Sequence, residues 1–344
     1  MSATNESLCQ RILHDLNVIF KRDPQILEFD IIPIEDSVSN KSPVIHVDHR
    51  LGLESWCVRH LYQYIYHKFV DLRTANNRIG HDQINEWTRT LLLLNPDLTT
   101  VWSARKELIE NGFIKVLTEL RFSEVLLTRK PKSADNFAHR QWLLKYFMKS
   151  ETLSDELITN ELRVTLDTSS RYHRNYHSWS HRIWIIENLF NNSLDKLNCE
   201  LMITKCWLES HVSDYSCYQY RQYLFQYIHK HFISITDNNS GVVSNEVKSN
   251  YHKLLKQELK LLNDLLVLYT DQESLFIHRR FILVSIDQWF ANESTQLKES
   301  EKIFIKQQLS LSHSNNTSNQ WHFILINRHI KYINCKLNWN LDIT

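Results

Sequence analysis

Positions 175–186 read NYHSWSHRIWII, which places two histidines, a tyrosine, an arginine and two tryptophans within twelve residues. Imidazoles exchange protons near neutral pH. A guanidinium grips carboxylates or phosphates through paired donors. Residue types alone would therefore allow acid–base catalysis or anion binding here, and they would equally allow a piece of architecture.

The pattern recurs, which separates these readings. TTVWSARKELI, DNFAHRQWLL, YHSWSHRIWII, SCYQYRQYLF and SLFIHRRFIL each carry an aromatic, two residues, an arginine, two residues and then apolar residues. The aromatics are Trp102, Phe137, Trp179, Tyr218 and Phe276. The arginines are Arg105, Arg140, Arg182, Arg221 and Arg279, at intervals of 35, 42, 39 and 58 residues. A reacting centre is needed once, so residues that return in every unit are expected to be scaffold. On a helix, the aromatic, the arginine and the apolar residue four further on share one face. An arginine packed there needs partners, either carboxylates or the carbonyl ends of neighbouring helices. His139, His181 and His278, each just before its arginine, also recur and read as packed, hydrogen-bonded groups.

The residues that do not recur are the candidates for chemistry. Eight places before the arginine stand Asp97, Lys132, Arg174, Ser213 and Asp271, and only the second and third are basic. The third repeat alone has a Tyr-His pair, Tyr176-His177, six and five places before its arginine. If consecutive repeats stack side by side, Lys132, Arg174, Tyr176 and His177 could meet on one rim as a cationic, hydrogen-bond-donating patch. The competing reading makes Lys132 a solvated turn lysine.

The elements that would position this patch are helices. The chain has four glycines and five prolines, with none of the prolines beyond Pro131, and its apolar residues fall at three- and four-residue spacing. DQINEWTRTLLLL, IKVLTELRFSEVLL, DELITNELRVTL, SLDKLNCELMITKCWLESH and YHKLLKQELKLLNDLLVLY supply a first helix ahead of each arginine helix. Asn95-Pro96-Asp97 and Lys130-Pro131-Lys132 supply turns. Such a period fits stacked helical hairpins, so the expected fold is all-α, tetratricopeptide-like. Residues 1–49 read as one helix followed by an extended lead-in, and 50–337 as a single solenoid. Residues 236–249 read as a polar loop that lengthens the fourth interval. A degenerate sixth repeat is expected near Arg328, with Leu325 in the aromatic position.

Composition narrows the function. Apolar residues make up 42% and charged residues 23%, as in a folded domain. Forty basic side chains balance 39 acidic ones without a basic block, which argues against an electrostatic nucleic-acid binder. So few glycines leave no phosphate-cradling loop or dinucleotide fingerprint. Six cysteines without CxxC spacing read as reduced, mostly buried thiols. With no signal-peptide core, membrane span or lipidation cysteine, the expected location is the cytoplasm. No metal-ligand spacing is evident in this chain.

Over residues 50–283 these repeats, of the form N-Y-x-x-W-x-x-R in paired helices, resemble the alpha subunits of protein prenyltransferases. The segments SPVIHVDHRLGLESWCVRHL, LLLLNPDLTTVWSARKELI and HVSDYSCYQYRQYLF look like the divergent branch of that family, assigned to a third type of protein geranylgeranyltransferase. The resemblance implies a right-handed alpha-alpha superhelix that wraps a separate beta subunit carrying the catalytic zinc and the isoprenoid pocket. That partner would be the beta subunit also used by the Rab geranylgeranyltransferase. The implied reaction moves a geranylgeranyl group from its diphosphate to a cysteine near the C-terminus of a protein, with a farnesylated SNARE as the substrate class. Residue by residue, the family's diphosphate-facing lysine matches Lys132, and its Tyr-His pair at the diphosphate and subunit interface matches Tyr176 and His177. Two departures stand out: Ala134 where the family usually has tyrosine, and Phe137 where tryptophan is commoner. A non-catalytic helical-repeat adaptor, or the alpha subunit of the Rab geranylgeranyl- or farnesyltransferase, are the alternatives.

Overall fold

The computed structural model describes residues 3–34, 42–75, 80–234, 245–312 and 317–341. It is 78% helical, with fourteen α-helices among the described residues, so the all-α expectation holds and the strands are a minor addition. The chain divides into two compact units, Met1–Ile185 and Ile186–Thr344. No helix among the described residues is long and apolar enough to cross a membrane.

The first unit opens with α1 (Ala3–Arg22), β1 (Glu28–Ile32), β2 (Val44–Val47) and β3 (Arg50–Glu54), followed by α2 (Ser55–Ala75). The strands form a sheet in the order β1-β3-β2, with β1 parallel and β2 antiparallel to β3. Arg50–Glu54 is thus the central strand, and helical packing begins after it rather than at residue 50. The lead-in is no loose extension. Ile12 of α1, Phe29 of β1, Leu53 of β3 and Leu61 of α2 share one buried core with Leu91 and Trp102 from the first hairpin. The β2–β3 turn puts Asp48 and His49 at φ 47° and 62°, a left-handed pair suited to a two-residue hairpin but strained for these side chains. Asp23, at the end of α1, braces this turn by accepting from His46 Nε2 at 2.8 Å and His49 Nδ1 at 2.9 Å.

Three hairpins follow: α3 (His81–Leu94) with α4 (Thr99–Glu110), α5 (Val116–Arg129) with α6 (Ala134–Phe147), and α7 (Asp155–Arg171) with α8 (Tyr176–Leu189). Capping side chains start several helices. Ser133 accepts from the Asn136 N–H, Ser154 from Leu157 and Asn175 from Ser178, each satisfying a donor left over at a helix N-terminus.

The second unit holds the end of α8, then α9 (Leu194–Ser210) and α10 (Tyr215–Ile228), which runs into a π-helical turn at His229–Ser234. The pairs α11 (Asn245–Leu268) with α12 (Glu273–Trp289) and α13 (Ser294–Ser312) with α14 (Thr317–Leu337) complete it. Two expectations change here. Residues 245–249, read as loop, are the first turn of α11; the rest of that segment from 236 lies outside the described residues. Of the six thiols, Cys199, Cys206 and Cys335 are exposed, because they fall on the outward sides of α9 and α14.

Candidate functional site

The repeated residues are core. Trp102, Phe137, Trp179, Tyr218 and Phe276 are all buried, as are Arg105, Arg140, Arg182, Arg221 and Arg279. Arg105, Arg140, Arg221 and Arg279 bridge helices through their two ends, and Arg182 shares the first of these contacts. One guanidinium nitrogen pins the hairpin to which the arginine belongs, donating to a hydroxyl seventeen residues earlier. Arg105 reaches Thr88 at 3.0 Å, Arg140 Ser123 at 3.1 Å, Arg182 Thr165 at 2.7 Å and Arg221 Thr204 at 2.6 Å. In the fifth hairpin Leu262 takes the hydroxyl position, and Asn263 Oδ1 accepts from Arg279 instead, at 2.7 Å.

The other side of the fork binds the next hairpin. Arg105 chelates Glu119 at 2.7 and 2.5 Å, Arg279 chelates Glu301 at 2.9 and 2.7 Å, and Arg140 and Arg221 grip Glu161 and Glu258 in the same bidentate way. Each carboxylate then accepts from a histidine on the second helix of its own hairpin: His139 on Glu119, His181 on Glu161, His278 on Glu258 and His329 on Glu301. On Glu200 the equivalent donor is the Tyr220 hydroxyl, at 2.6 Å. Burial alone would push these carboxyls up, but the guanidinium and imidazole contacts win. Glu119, Glu161 and Glu301 are held down at about 2, and Glu258 lower still. Burial lowers the histidines, which stay neutral and donate through Nε2; the Nδ1 atoms of His139 and His181 are buried without a partner, as fits an unprotonated lone pair.

These glutamates are the residues that the sequence reading missed by name. Spacing requires carboxylates or helix carbonyls as partners for the arginines and does not say which residues supply them. The signal was present, since Glu119, Glu161 and Glu258 each stand twenty residues before a recurrent histidine. The same network corrects the sixth repeat. His329 fills the histidine position there, so the arginine position falls on Ile330 and the aromatic position on Asn327, not on Arg328 and Leu325. Arg328 is an exposed side chain paired with Glu273 at 3.1 Å. The last hairpin keeps the glutamate–histidine half of the scheme and drops the outgoing arginine, as suits a repeat with no following hairpin among the described residues.

Three of the non-recurring candidates, Lys132, Tyr176 and His177, lie together within the first unit. Lys132 lies in the α5–α6 turn, and its ammonium sits 4.9 Å from the ring centre of Tyr172 and 5.4 Å from that of Tyr176. Tyr176 in turn packs on His177, ring centres 3.9 Å apart. The turn is tied down from the third hairpin, because the Asn175 side-chain amide donates to the Pro131 carbonyl at 2.6 Å. Arg174, one residue before this cap, is exposed with a left-handed backbone, φ 57°. Tyr172, at the C-terminus of α7, was not singled out by sequence because no spacing rule marks it.

Charge on this rim is left uncancelled at Lys132. Asp97, the acidic counterpart in the first hairpin, is occupied by Lys130 and by the Ser133 hydroxyl at 2.6 Å. Burial raises the Asp97 carboxyl, yet these two bonds hold it below its usual range. Among the described residues, Lys132 makes no ion pair. His177 is lowered by burial and by the Lys132 charge beside it, so it is neutral at pH 7 and can both donate and accept. One ammonium, one neutral imidazole and the hydroxyl of the exposed Tyr176 make a surface that can donate several hydrogen bonds to an anion, with the Tyr172 ring, 45% exposed, packed against the ammonium.

Comparison with known proteins agrees with the repeat. The protein prenyltransferase alpha subunit repeat matches residues 158–189 and 197–228, which fall in α7–α8 and α9–α10. The protein prenyltransferase alpha subunit repeat-containing protein 1 of Homo sapiens is 33% identical over 344 residues, covering 88% of this chain and 84% of its own length. Its counterpart 1-B in Xenopus laevis is 33% identical over 323 residues, covering 84% and 75%. The geranylgeranyl transferase type-2 subunit alpha of Saccharomyces cerevisiae is 31% identical over 142 residues, or 39% of this chain and 42% of that protein.

Proposed function

The chain belongs to the protein prenyltransferase alpha subunit repeat family, and on that premise we propose that it is the alpha subunit of a heterodimeric protein geranylgeranyltransferase. The substrate thiolate attacks C1 of geranylgeranyl diphosphate, the C–S bond forms as the C1–O bond breaks, and pyrophosphate leaves with the electron pair. Activation of the thiol is assigned to zinc in the partner beta subunit, which lowers the thiol pKa. The alpha chain contributes to the other requirement, the negative charge growing on the departing diphosphate.

The observation that carries this reading is the Lys132 ammonium, which projects beside Tyr176 and His177 without a carboxylate to neutralise it. Lys132 is the diphosphate-facing cation, and His177, Tyr176 and Arg174 flank the same anion or the subunit interface. The partner is the beta subunit of the type used by the Rab enzyme, the protein substrate is a farnesylated SNARE, and the complex works in the cytoplasm. The similarity spans 84–88% of this chain for the repeat-containing relatives, against 39% for a type-2 alpha subunit, which favours the divergent branch over an ordinary Rab-type alpha subunit.

One observation favours a non-catalytic adaptor: Ala134, exposed at the start of α6, offers no donor where the alpha-subunit pattern has tyrosine. Co-expression with candidate beta subunits distinguishes the two. A copurifying pair that transfers geranylgeranyl, and loses that activity with Lys132→Ala, is the expected result. A stable pair without transfer to any cysteine-bearing substrate tested would leave the adaptor in its place.

A further inference from the structure

Lys132 is aimed by ring faces where a carboxylate would ordinarily do the work. Its ammonium lies 4.9 Å from the centre of Tyr172 and 5.4 Å from that of Tyr176. The two rings stand at opposite ends of one short segment, with Tyr172 capping α7 and Tyr176 opening α8. Thr168 O accepts the Tyr172 backbone N–H at 3.2 Å, and the Asn175 bond to Pro131 fixes the lysine turn against the same segment. The charges that might compete are engaged elsewhere: Asp97 with Lys130, and Arg171 beside Tyr172 with Glu28 at 3.5 Å.

A ring face attracts a cation without accepting its N–H bonds in the way a carboxylate would, and without cancelling its charge. The ammonium is therefore oriented while its donors stay available. We propose that Tyr172 is a positioning residue for Lys132, holding the ammonium at the rim so that it meets diphosphate already in place. This rests on the reading of Lys132 as the diphosphate-facing cation. It also offers an answer to the departure at Ala134, because the exposed Tyr172 ring reaches the same lysine from the neighbouring hairpin.

The test uses the intact heterodimer and two independent readouts. The first is acylation of Lys132 by an amine-reactive ester, followed by mass spectrometry, with Lys145 as internal reference. The second is steady-state transfer. Contacts of this exposed kind correspond to roughly two- to fivefold effects. Tyr172→Leu should raise Lys132 acylation by about that factor and lower kcat comparably, with KM for the protein substrate little changed. Tyr172→Phe, which keeps the ring, should hold Lys132 acylation at the wild-type level and serves as the folded control for that readout. In a Lys132→Ala background, Tyr172→Leu should slow transfer no further. Unchanged Lys132 acylation in Tyr172→Leu overturns the proposal whatever happens to transfer. Raised acylation combined with wild-type transfer by Lys132→Ala would instead overturn the role of Lys132 in the reaction, and with it any positioning role for Tyr172.

Discussion

Arg140 of the second hairpin and Glu161 of the third meet in complete burial, the guanidinium Nε 3.1 Å from a carboxylate oxygen. Both were taken out of water to meet, and neither has a solvent route to compensation if the other is removed. Arg140→Ala should therefore destabilise the protein by about 3–5 kcal/mol, read by chemical denaturation. Replacing both partners, Arg140→Met with Glu161→Leu, should cost less than either single truncation, because no buried charge is left alone. A double variant as unstable as the sum of its singles would show that the pair is not coupled.

Arg328 provides the contrast. Its pairing with Glu273 is solvent-exposed, whereas Arg279 is buried against Glu301. Arg328→Ala is expected to change stability by less than ~1 kcal/mol, while Arg279→Ala should resemble Arg140→Ala. Equal effects at the two positions would restore Arg328 to the repeat.

Acid should weaken the fold in two stages. His139, His181, His278 and His329 are lowered by burial, so below about pH 6.5 the unfolded chain binds protons that the folded one refuses, and stability falls as pH falls. Glu119, Glu161 and Glu301, held at about 2, add a second loss that begins below the unfolded carboxyl value of about 4.3 and deepens toward pH 2. Melts across pH 8 to 2 should show both. His181→Gln, which can still donate to Glu161, should flatten the part between pH 6.5 and 5; a melting profile flat through that range in the parent protein would contradict the burial argument.

Lys132→Ala should slow geranylgeranyl transfer by roughly ten- to a hundredfold, or ~1.4–3 kcal/mol of transition-state stabilisation, while the heterodimer still forms. Single-turnover kinetics on the purified pair reads this directly. An intact pair with unchanged turnover removes Lys132 from the mechanism.

Asn175 links the scaffold to the rim, since it caps α8 and ties the Lys132 turn through Pro131. Asn175→Ala is expected to cost about 1–2 kcal/mol in stability. It should also impair transfer more than that loss alone explains, which comparing activity of fully folded samples would reveal.

The periodic aromatic and arginine positions determined the helical hairpins by themselves, because a residue needed at every packing interface must recur at the spacing of the unit. That is why Trp102, Arg140 and Arg279 could be assigned to the core from spacing, and why Lys132 and Tyr176-His177 stood out as exceptions. Tertiary structure decided what spacing does not carry. The register of the last hairpin depended on finding that His329, and not Arg328, meets Glu301, since a degenerate repeat can be aligned in more than one way until its buried partner is known. The lead-in became a sheet because β1 pairs with β3 across the β2 hairpin, a non-local choice that local propensity does not make. Tyr172 joined Lys132 only when two turns, forty residues apart in sequence, were folded side by side. A contact between segments that do not repeat leaves no periodic trace in a single sequence.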